Sequence, residues 1–243
     1  MISIIISSRD DDRLERCKQS ILKTIGTRFQ LIVIQNKEGK RGLSYVYNLG
    51  ASKAEYEYLA FMHEDIEFRK KDWGNKLISL LNRNDVGLVG AAGTNYLAEN
   101  GVWSYPGVPF VKGRIIHTRP EDETKEQIDL FCDEEGDFEV IALDGVFLAT
   151  KKSVWTEIKF DDKNFTGFHY YDLDFSLRVA QKYKILVTTD ILIKHYSGGK
   201  NDEDWNYFRN IFINKYKSIL PFTNQDKKPD LKNIKIWNRK YLI

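Results

Sequence analysis

The sequence predicts an α/β protein in which a central, mostly parallel sheet is flanked by helices and followed by a smaller, less regular subregion. Three observations predict it. Through residues 1–93, short β-branched runs alternate with amphipathic helical stretches, and right-handed crossovers build such alternation into a parallel sheet covered on both faces. Three of the runs end in polar residues, Ser7-Ser8-Arg9, Gln35-Asn36 and His63-Glu64-Asp65, which suits a ligand rim at the carboxyl ends of the strands. The length, 243 residues with 42% apolar side chains, suffices for one domain with a sizeable core.

Ile2 to Ser7 is the first strand, and Leu14, Cys17, Ile21 and Ile25 recur at helical spacing until Gly26 ends the pattern. Leu31 to Ile34 is the second strand, and beyond the loop from Asn36 to Gly42 one helical face is formed by Leu43, Val46, Tyr47 and Ala54. Tyr58 to Met62 reads as the third strand, Trp73, Leu77, Leu80 and Leu81 as the third helix, and Val86 to Ala91 as the fourth strand. From 94 to 138 the periodicity fails, which predicts long loops or a hairpin. Glu139 to Thr150 reads as a strand broken by Asp144-Gly145, followed by a short helix around Ser153 to Glu157. Leu173, Leu177 and Ala180 then give a buried helical stripe with Asp172 in its first turn. Strands over Lys184 to Thr189 and Leu192 to Tyr196, an amphipathic helix from Asp202 to Ile219 and a tail complete the chain. The expected organisation is one domain over 1–222, with halves at 1–93 and 94–222, and a basic, aromatic tail over 223–243.

Composition excludes several classes. With 37 basic against 35 acidic side chains there is no cationic excess of the kind that nucleic acid requires. Neither Gly-x-Gly-x-x-Gly after the first strand nor Gly-x-x-x-x-Gly-Lys-Ser/Thr occurs, so the usual dinucleotide and P-loop cradles are absent. No run approaches the roughly 18 apolar residues of a membrane span, and the start lacks the pattern of a secretory leader; the expected compartment is the cytoplasm. Cys17 and Cys132 form neither a disulfide framework nor a metal knuckle, and free thiols are expected.

The strongest chemical signal is Tyr58-Leu-Ala-Phe-Met-His-Glu-Asp65, an apolar strand running straight into charged groups. Hard divalent ions take carboxylate oxygens, often one or two, with substrate phosphate completing the shell. Asp65 is the candidate ligand, and His63 could add a nitrogen ligand better suited to manganese than to magnesium or hold a metal-bound water; the plainer alternative is a charged cluster that merely ends a strand. Asp144-Gly145 interrupts an apolar strand, where glycine marks either a close backbone approach or a bulge. Asp172 and Asp174 lie in a first helical turn, where acids also serve as caps.

Four elements together resemble the glycosyltransferase family 2 enzymes of the GT-A, Rossmann-like nucleotide-diphospho-sugar transferase fold. His63-Glu64-Asp65 is similar to the metal-binding Asp-x-Asp motif. Gly42 to Ala54, containing Asn48-Leu-Gly50, resembles the helix that precedes it. Tyr171-Asp172-Leu-Asp174-Phe-Ser-Leu177-Arg178 resembles the Glu-Asp motif, and His195-Tyr-Ser-Gly-Gly199 resembles the C-terminal histidine element. The four occur in family order over roughly residues 1 to 200.

The resemblance implies an inverting, metal-dependent hexosyl- or deoxyhexosyltransferase that moves a sugar from a nucleotide-diphosphate donor, UDP-linked or another, to a glycan or glycolipid acceptor, with Mn2+ or Mg2+ as cofactor. It implies Asp172 as catalytic base and Asp65, His63 and His195 around the metal. Ser7, Ser8, Arg9, Asn36, Asn48 and Glu64 would surround the nucleotide, and Asp144, Gly145 and Asp174 the donor sugar or acceptor; Lys200 and nearby basic groups could hold the diphosphate or be simply solvated. The chain departs from the family in carrying Asn36 for the usual acid, Tyr47 for an arginine, His63 for aspartate and Tyr171 for glutamate. A nucleotidylyltransferase and a non-catalytic sugar-binding module are the alternatives, the first disfavoured because Ser7 to Arg13 is not glycine-rich. Trp103, Tyr105, Phe110 and Trp155 could stack on sugar rings or fill the core. The tail from Asn224 to Ile243, with six basic and two acidic residues, suits anionic lipid headgroups, a dimer contact or packing on the body.

Overall fold

The computed structural model describes residues 1–119, 122–196, 202–226 and 228–242. The chain begins β1 (Ile2–Ser8), α1 (Asp11–Thr24), β2 (Phe29–Gln35), α2 (Leu43–Ser52), β3 (Tyr58–His63), β4 (Ile66–Phe68), α3 (Trp73–Leu81) and β5 (Val86–Gly90). It continues through β6 (Ala92–Thr94), β7 (Tyr96–Leu97), β8 (Val111–Arg119), β9 (Asp122–Leu130), β10 (Asp137–Val140), β11 (Ala142–Leu143) and β12 (Phe147–Lys151). The last elements are α4 (Lys152–Ile158), α5 (Tyr171–Ala180), β13 (Lys184–Thr188), β14 (Ile193–His195), α6 (Glu203–Tyr216), β15 (Phe222–Thr223) and β16 (Asn238–Leu242).

The main sheet has the order β10-β13-β5-β12-β3-β1-β2. Strands β1, β2, β3, β5 and β13 point one way, while β12 runs against both β3 and β5, and β10 against β13. The sheet is therefore mostly parallel, as predicted, with an antiparallel strand set into its middle. Along β1 the side chains alternate. Ile2, Ile4 and Ile6 pack with Leu14 and Cys17 of α1 and Trp73 and Leu77 of α3, and Ile5 packs on the other face with Val46 and Tyr47 of α2 and Phe175 of α5. Both cysteines are buried free thiols.

A second sheet, β11-β6-β8-β14-β4, extends through β8 to β9 and β16. It corrects two readings of the sequence. The run Val86 to Ala91 is expected to be a single strand, but β5 stops at Gly90 and the chain crosses after Ala91 into β6 of the other sheet. The stretch from Glu139 to Thr150 supplies three strands: β10 and β12 join the main sheet and β11 the second one. An apolar run reports burial but not which sheet buries it, so neither switch was visible. The irregular stretch before it holds the β8–β9 hairpin. The tail is paired antiparallel to β9 as β16, Trp237 packs on Phe131 with ring centroids 4.8 Å apart, and the Arg239 Nε lies 3.1 Å from Asp129 Oδ1. This indole belongs to the body of the protein, the plainest of the three expectations. Lys227 and Ile243 lie outside the described residues, and no helix among the described residues is long and apolar enough to cross a membrane.

Candidate active site

Strand register builds the site. Met62 of β3 pairs with Phe147 of β12, so the loop carrying Asp144 and Gly145 arrives beside His63 at the carboxyl end of β3. Ser7 pairs with His63 from the other side. In the second sheet His195 pairs with Ile66, the residue after Asp65, and the Tyr196 N–H donates to the Asp65 carbonyl at 2.9 Å. Two sheets thus deliver His63, Asp65 and His195 to one point.

Their ligand atoms lie within 4.8 Å of one another. Asp65 Oδ1 is 3.5 Å from His195 Nε2 and 3.9 Å from His63 Nδ1, and Arg13 Nη1 is 3.7 Å from Asp65 Oδ2. These approaches are longer than good hydrogen bonds, and Asp65 Oδ1 and His195 Nε2 are buried without a partner. Burial works against the Asp65 charge, yet His195, His63 and Arg13 outweigh it and hold the carboxyl well below the usual range. Burial pushes the His63 pKa down, against the pull of Asp65. Side-chain exposures of 12 to 14% leave these groups reachable in a medium that strengthens charge interactions. Two imidazoles and a carboxylate, with two orphaned buried atoms, fit a divalent cation.

Across Gly145 stands Asp172 at the start of α5. Its Oδ2 accepts from the Gly145 N–H at 2.7 Å. Burial and the neighbouring Asp144 charge raise its pKa to about 7, against the backbone N–H groups of Leu173, Asp172 and Gly145. The Tyr171 hydroxyl donates to the Gly145 carbonyl at 2.9 Å and meets His63 Nε2 at 3.0 Å. A Cβ on residue 145 would stand 2.2 Å from Tyr171 Oη and 2.9 Å from Asp172 Oδ2, so the glycine marks a close approach. Asp144 Oδ1 accepts from the Val146 N–H at 2.9 Å, closing the turn.

The other expected site residues divide. Ser8 is buried with an unpartnered hydroxyl at the rim. Glu64 accepts the N–H groups of Arg9 and Asp10, at 2.7 and 3.2 Å, and so shapes the loop after β1; burial raises its pKa against those bonds. The Asn36 side chain bonds the Arg41 backbone through both its ends. Asn48 is consumed within the fold, its amide donating to the Phe160 carbonyl and Asp162 while its oxygen accepts from Trp155 and Phe160. Asp174 also stands apart, fully buried: Arg178 donates twice to its Oδ2, and Lys215 and Tyr216 donate to its Oδ1. Ser197, Gly198, Gly199 and Lys200 lie outside the described residues. Of the four aromatics named from the sequence, Phe110 and Trp155 are buried in the core.

Sequence reasoning missed two groups. Phe168 is 49% exposed, with its ring centroid 5.2 Å from that of His63, and an apolar face left open beside charged groups is the kind that receives a sugar ring. Arg13 reaches Asp65 from α1. The signal for Phe168 was its place just before the Asp172 helix; Arg13 gave none. A surface groove of about 550 Å³ between α1 and β4 is lined by Asp12, Arg16, Lys23 and Arg69 among others and includes none of the clustered residues.

Among solved structures, the crystal structure of GalNAc-T7 with UDP, GalNAc and Mn2+ resembles this chain with a TM-score of 0.61 at 12% identity, over 86% of this chain and 47% of that one. The chain thus spans about half the length of that protein. A197 from STIV resembles it with a TM-score of 0.50 at 14% identity, over 81% of this chain and 85% of the other. These likenesses show the fold, which is GT-A. No curated protein matches the chain in sequence. The family described as "Glycosyltransferase like family" matches residues 3–216, nearly the whole of both sheets and the candidate site, and the chain therefore belongs to this glycosyltransferase-like family.

Proposed function

We propose that the protein is a divalent-metal-dependent glycosyltransferase that carries a hexose or deoxyhexose from a nucleotide-diphosphate donor to a hydroxyl of a saccharide or lipid-linked glycan, with inversion. One observation carries the reading: an open donor cluster, His63, Asp65 and His195, and a carboxylate poised near pH 7, Asp172, stand on either side of Gly145, the cluster linked to it through Tyr171. A solved GT-A relative binds UDP and Mn2+, which makes UDP the first nucleotide to test. Mn2+ or Mg2+ held by Asp65, His63 and His195 would neutralise the charge developing on the leaving diphosphate, and the two imidazoles favour Mn2+.

The protein's own groups supply the rest. Asp172, ionised above about pH 7, takes the proton of the acceptor hydroxyl as that oxygen bonds to the anomeric carbon and the diphosphate leaves with the bonding pair. One base and no protein nucleophile give a single displacement, which inverts. Ser7, Ser8 and Arg9, on the strand rim, would meet the nucleotide, with Glu64 fixing the loop after them. Phe168 offers its ring to the apolar face of a sugar, and Asp144 its second carboxylate oxygen to a hydroxyl.

The test is calorimetric titration of nucleoside diphosphates with and without Mn2+, repeated on Asp65→Ala, followed by NMR of the product's anomeric signal. Metal-dependent binding of one nucleotide, lost in Asp65→Ala, and an inverted product are expected. Binding of no nucleotide under either condition would sink the reading, and a retained anomeric configuration would sink the single displacement.

A further inference from the structure

We infer that Tyr171 is a positioning residue that fixes His63 in one tautomer and thereby aims its Nδ1 lone pair at Asp65 and His195; the consequence for metal affinity rests on the function proposed above. Proton counting along three groups leads to this assignment. A tyrosine hydroxyl has one proton to give and lone pairs to receive. The Tyr171 hydroxyl stands 2.9 Å from the Gly145 carbonyl oxygen, which can only accept, so both of its contacts are hydrogen bonds only when the single proton goes there. The contact with His63 Nε2, at 3.0 Å, must then have the imidazole as donor. A neutral ring carries one N–H. With that proton on Nε2, Nδ1 is bare, and Nδ1 is the nitrogen 3.9 Å from Asp65 Oδ1.

The surroundings hold the arrangement. Tyr171 is 3% exposed and its ring is held edge-on by Tyr47, centroids 5.5 Å apart. The Gly145 carbonyl is held in place because the N–H of its own peptide unit, that of Val146, donates to Asp144 Oδ1 at 2.9 Å, while the Gly145 N–H donates to Asp172 Oδ2 at 2.7 Å. Gly145, through its two flanking peptides, and the Tyr171 hydroxyl thus connect the base to the histidine. A bare Nδ1, a carboxylate oxygen and His195 Nε2 converge within 4.8 Å of one another, a donor set that one cation can share. Hydrogen bonding to the distal nitrogen of a ligating histidine also raises ligand basicity, and loss of such partners lowers metal affinity by about 10- to 100-fold.

The experiment uses nitrogen-15 histidine-labelled full-length protein, whose four histidines are assigned by single substitutions. In the metal-free protein, the shifts should report His63 with its proton on Nε2, and Tyr171→Phe, which keeps the ring but removes the acceptor, should mix the tautomers. Calorimetry with Mn2+ alone should show affinity about 10- to 100-fold weaker in Tyr171→Phe, and no further loss when that change is made in a His63→Ala background. A proton on Nδ1 in the unsubstituted protein, or an unchanged tautomer in a folded Tyr171→Phe variant, overturns the inference. Equal losses from Tyr171→Phe with and without His63 overturn its route through His63. If the unsubstituted protein binds no Mn2+ while its His63 proton sits on Nε2 and responds to Tyr171→Phe, the metal reading fails and the positioning of the ring by Tyr171 is upheld.

Discussion

Asp65 and Asp174 are two carboxylates withdrawn from solvent in one chain, and their surroundings are opposites. Asp174 is saturated: two bonds from Arg178 at 2.9 and 2.7 Å, one from Lys215 at 2.5 Å and one from Tyr216 at 2.7 Å fill both oxygens. Asp65 is surrounded at a remove, by His195 at 3.5 Å, Arg13 at 3.7 Å and His63 at 3.9 Å, with Oδ1 left unpartnered. The first arrangement ties α5 to α6 and has no capacity left for a ligand. The second keeps its charge while leaving its lone pairs uncommitted. A buried acid whose hydrogen bonds are complete reads as structure, and one whose neighbours stop short reads as a site.

Substitutions separate the two roles. Asp174→Ala strands Arg178 and Lys215 beside a cavity and should cost about 3–5 kcal/mol of stability, read by urea denaturation; a loss below about 1 kcal/mol would show that the cluster is not the tie described. Asp172→Asn should lower turnover by about 10²–10⁴ while sparing nucleotide binding, and retention of turnover would remove Asp172 as the base. The same variant sharpens the contrast through stability. Because the folded pKa of Asp172 is raised to about 7, wild-type stability is fully present below the unfolded carboxyl pKa and is lost as pH rises through about 7. Melting of Asp172→Asn should therefore gain on wild type by roughly 1–3 kcal/mol between pH 4 and pH 8. Activity should rise about tenfold per pH unit up to pH 7 and then level, provided the chemical step is measured.

Smaller effects test the open cluster. Asp65→Ala should abolish Mn2+ binding and, because His195, His63 and Arg13 favour the ionised carboxylate in the fold, should also lower metal-free stability by about 1–3 kcal/mol; a loss as large as that of Asp174→Ala would make Asp65 a structural acid like Asp174. Phe168→Ala should weaken acceptor or donor-sugar binding by about 0.5–1.5 kcal/mol and leave binding of the free nucleoside diphosphate alone. Loss of the bare nucleotide instead would move the ring to the other end of the donor.

Much of this was legible in the chain. The strand ending at His63-Glu64-Asp65, the glycine at 145 and the aspartate at the start of α5 were all chosen from the sequence, and the structure brings them to one rim. Asn48 and Asp174 show the limit. Each occupies a motif position, yet Asn48 pins the segment from Trp155 to Asp162 onto α2, and Asp174 braces two helices. Motif spacing places a side chain on a helix and, for Asp174, shows Arg178 one turn on, but the remaining partners come from segments about 40 to 110 residues away and have no local signature. Tyr171 and His63, two of the four departures from the family's usual residues, turn out to touch, a relation hidden by 108 residues of separation.

The sequence by itself determined the layered α/β architecture, because apolar periods of two and of roughly four are local properties that dictate strands, helices and the faces they bury. It also marked the polar strand ends that the structure gathers at one rim. Only the tertiary structure decided the crossing from main sheet to second sheet at Ala91 and around Asp144, the docking of the tail on β9, and which carboxylate would be satisfied and which left open. Those outcomes depend on long-range pairing and on the protons and charges that distant segments bring to each oxygen, and no local pattern encodes them.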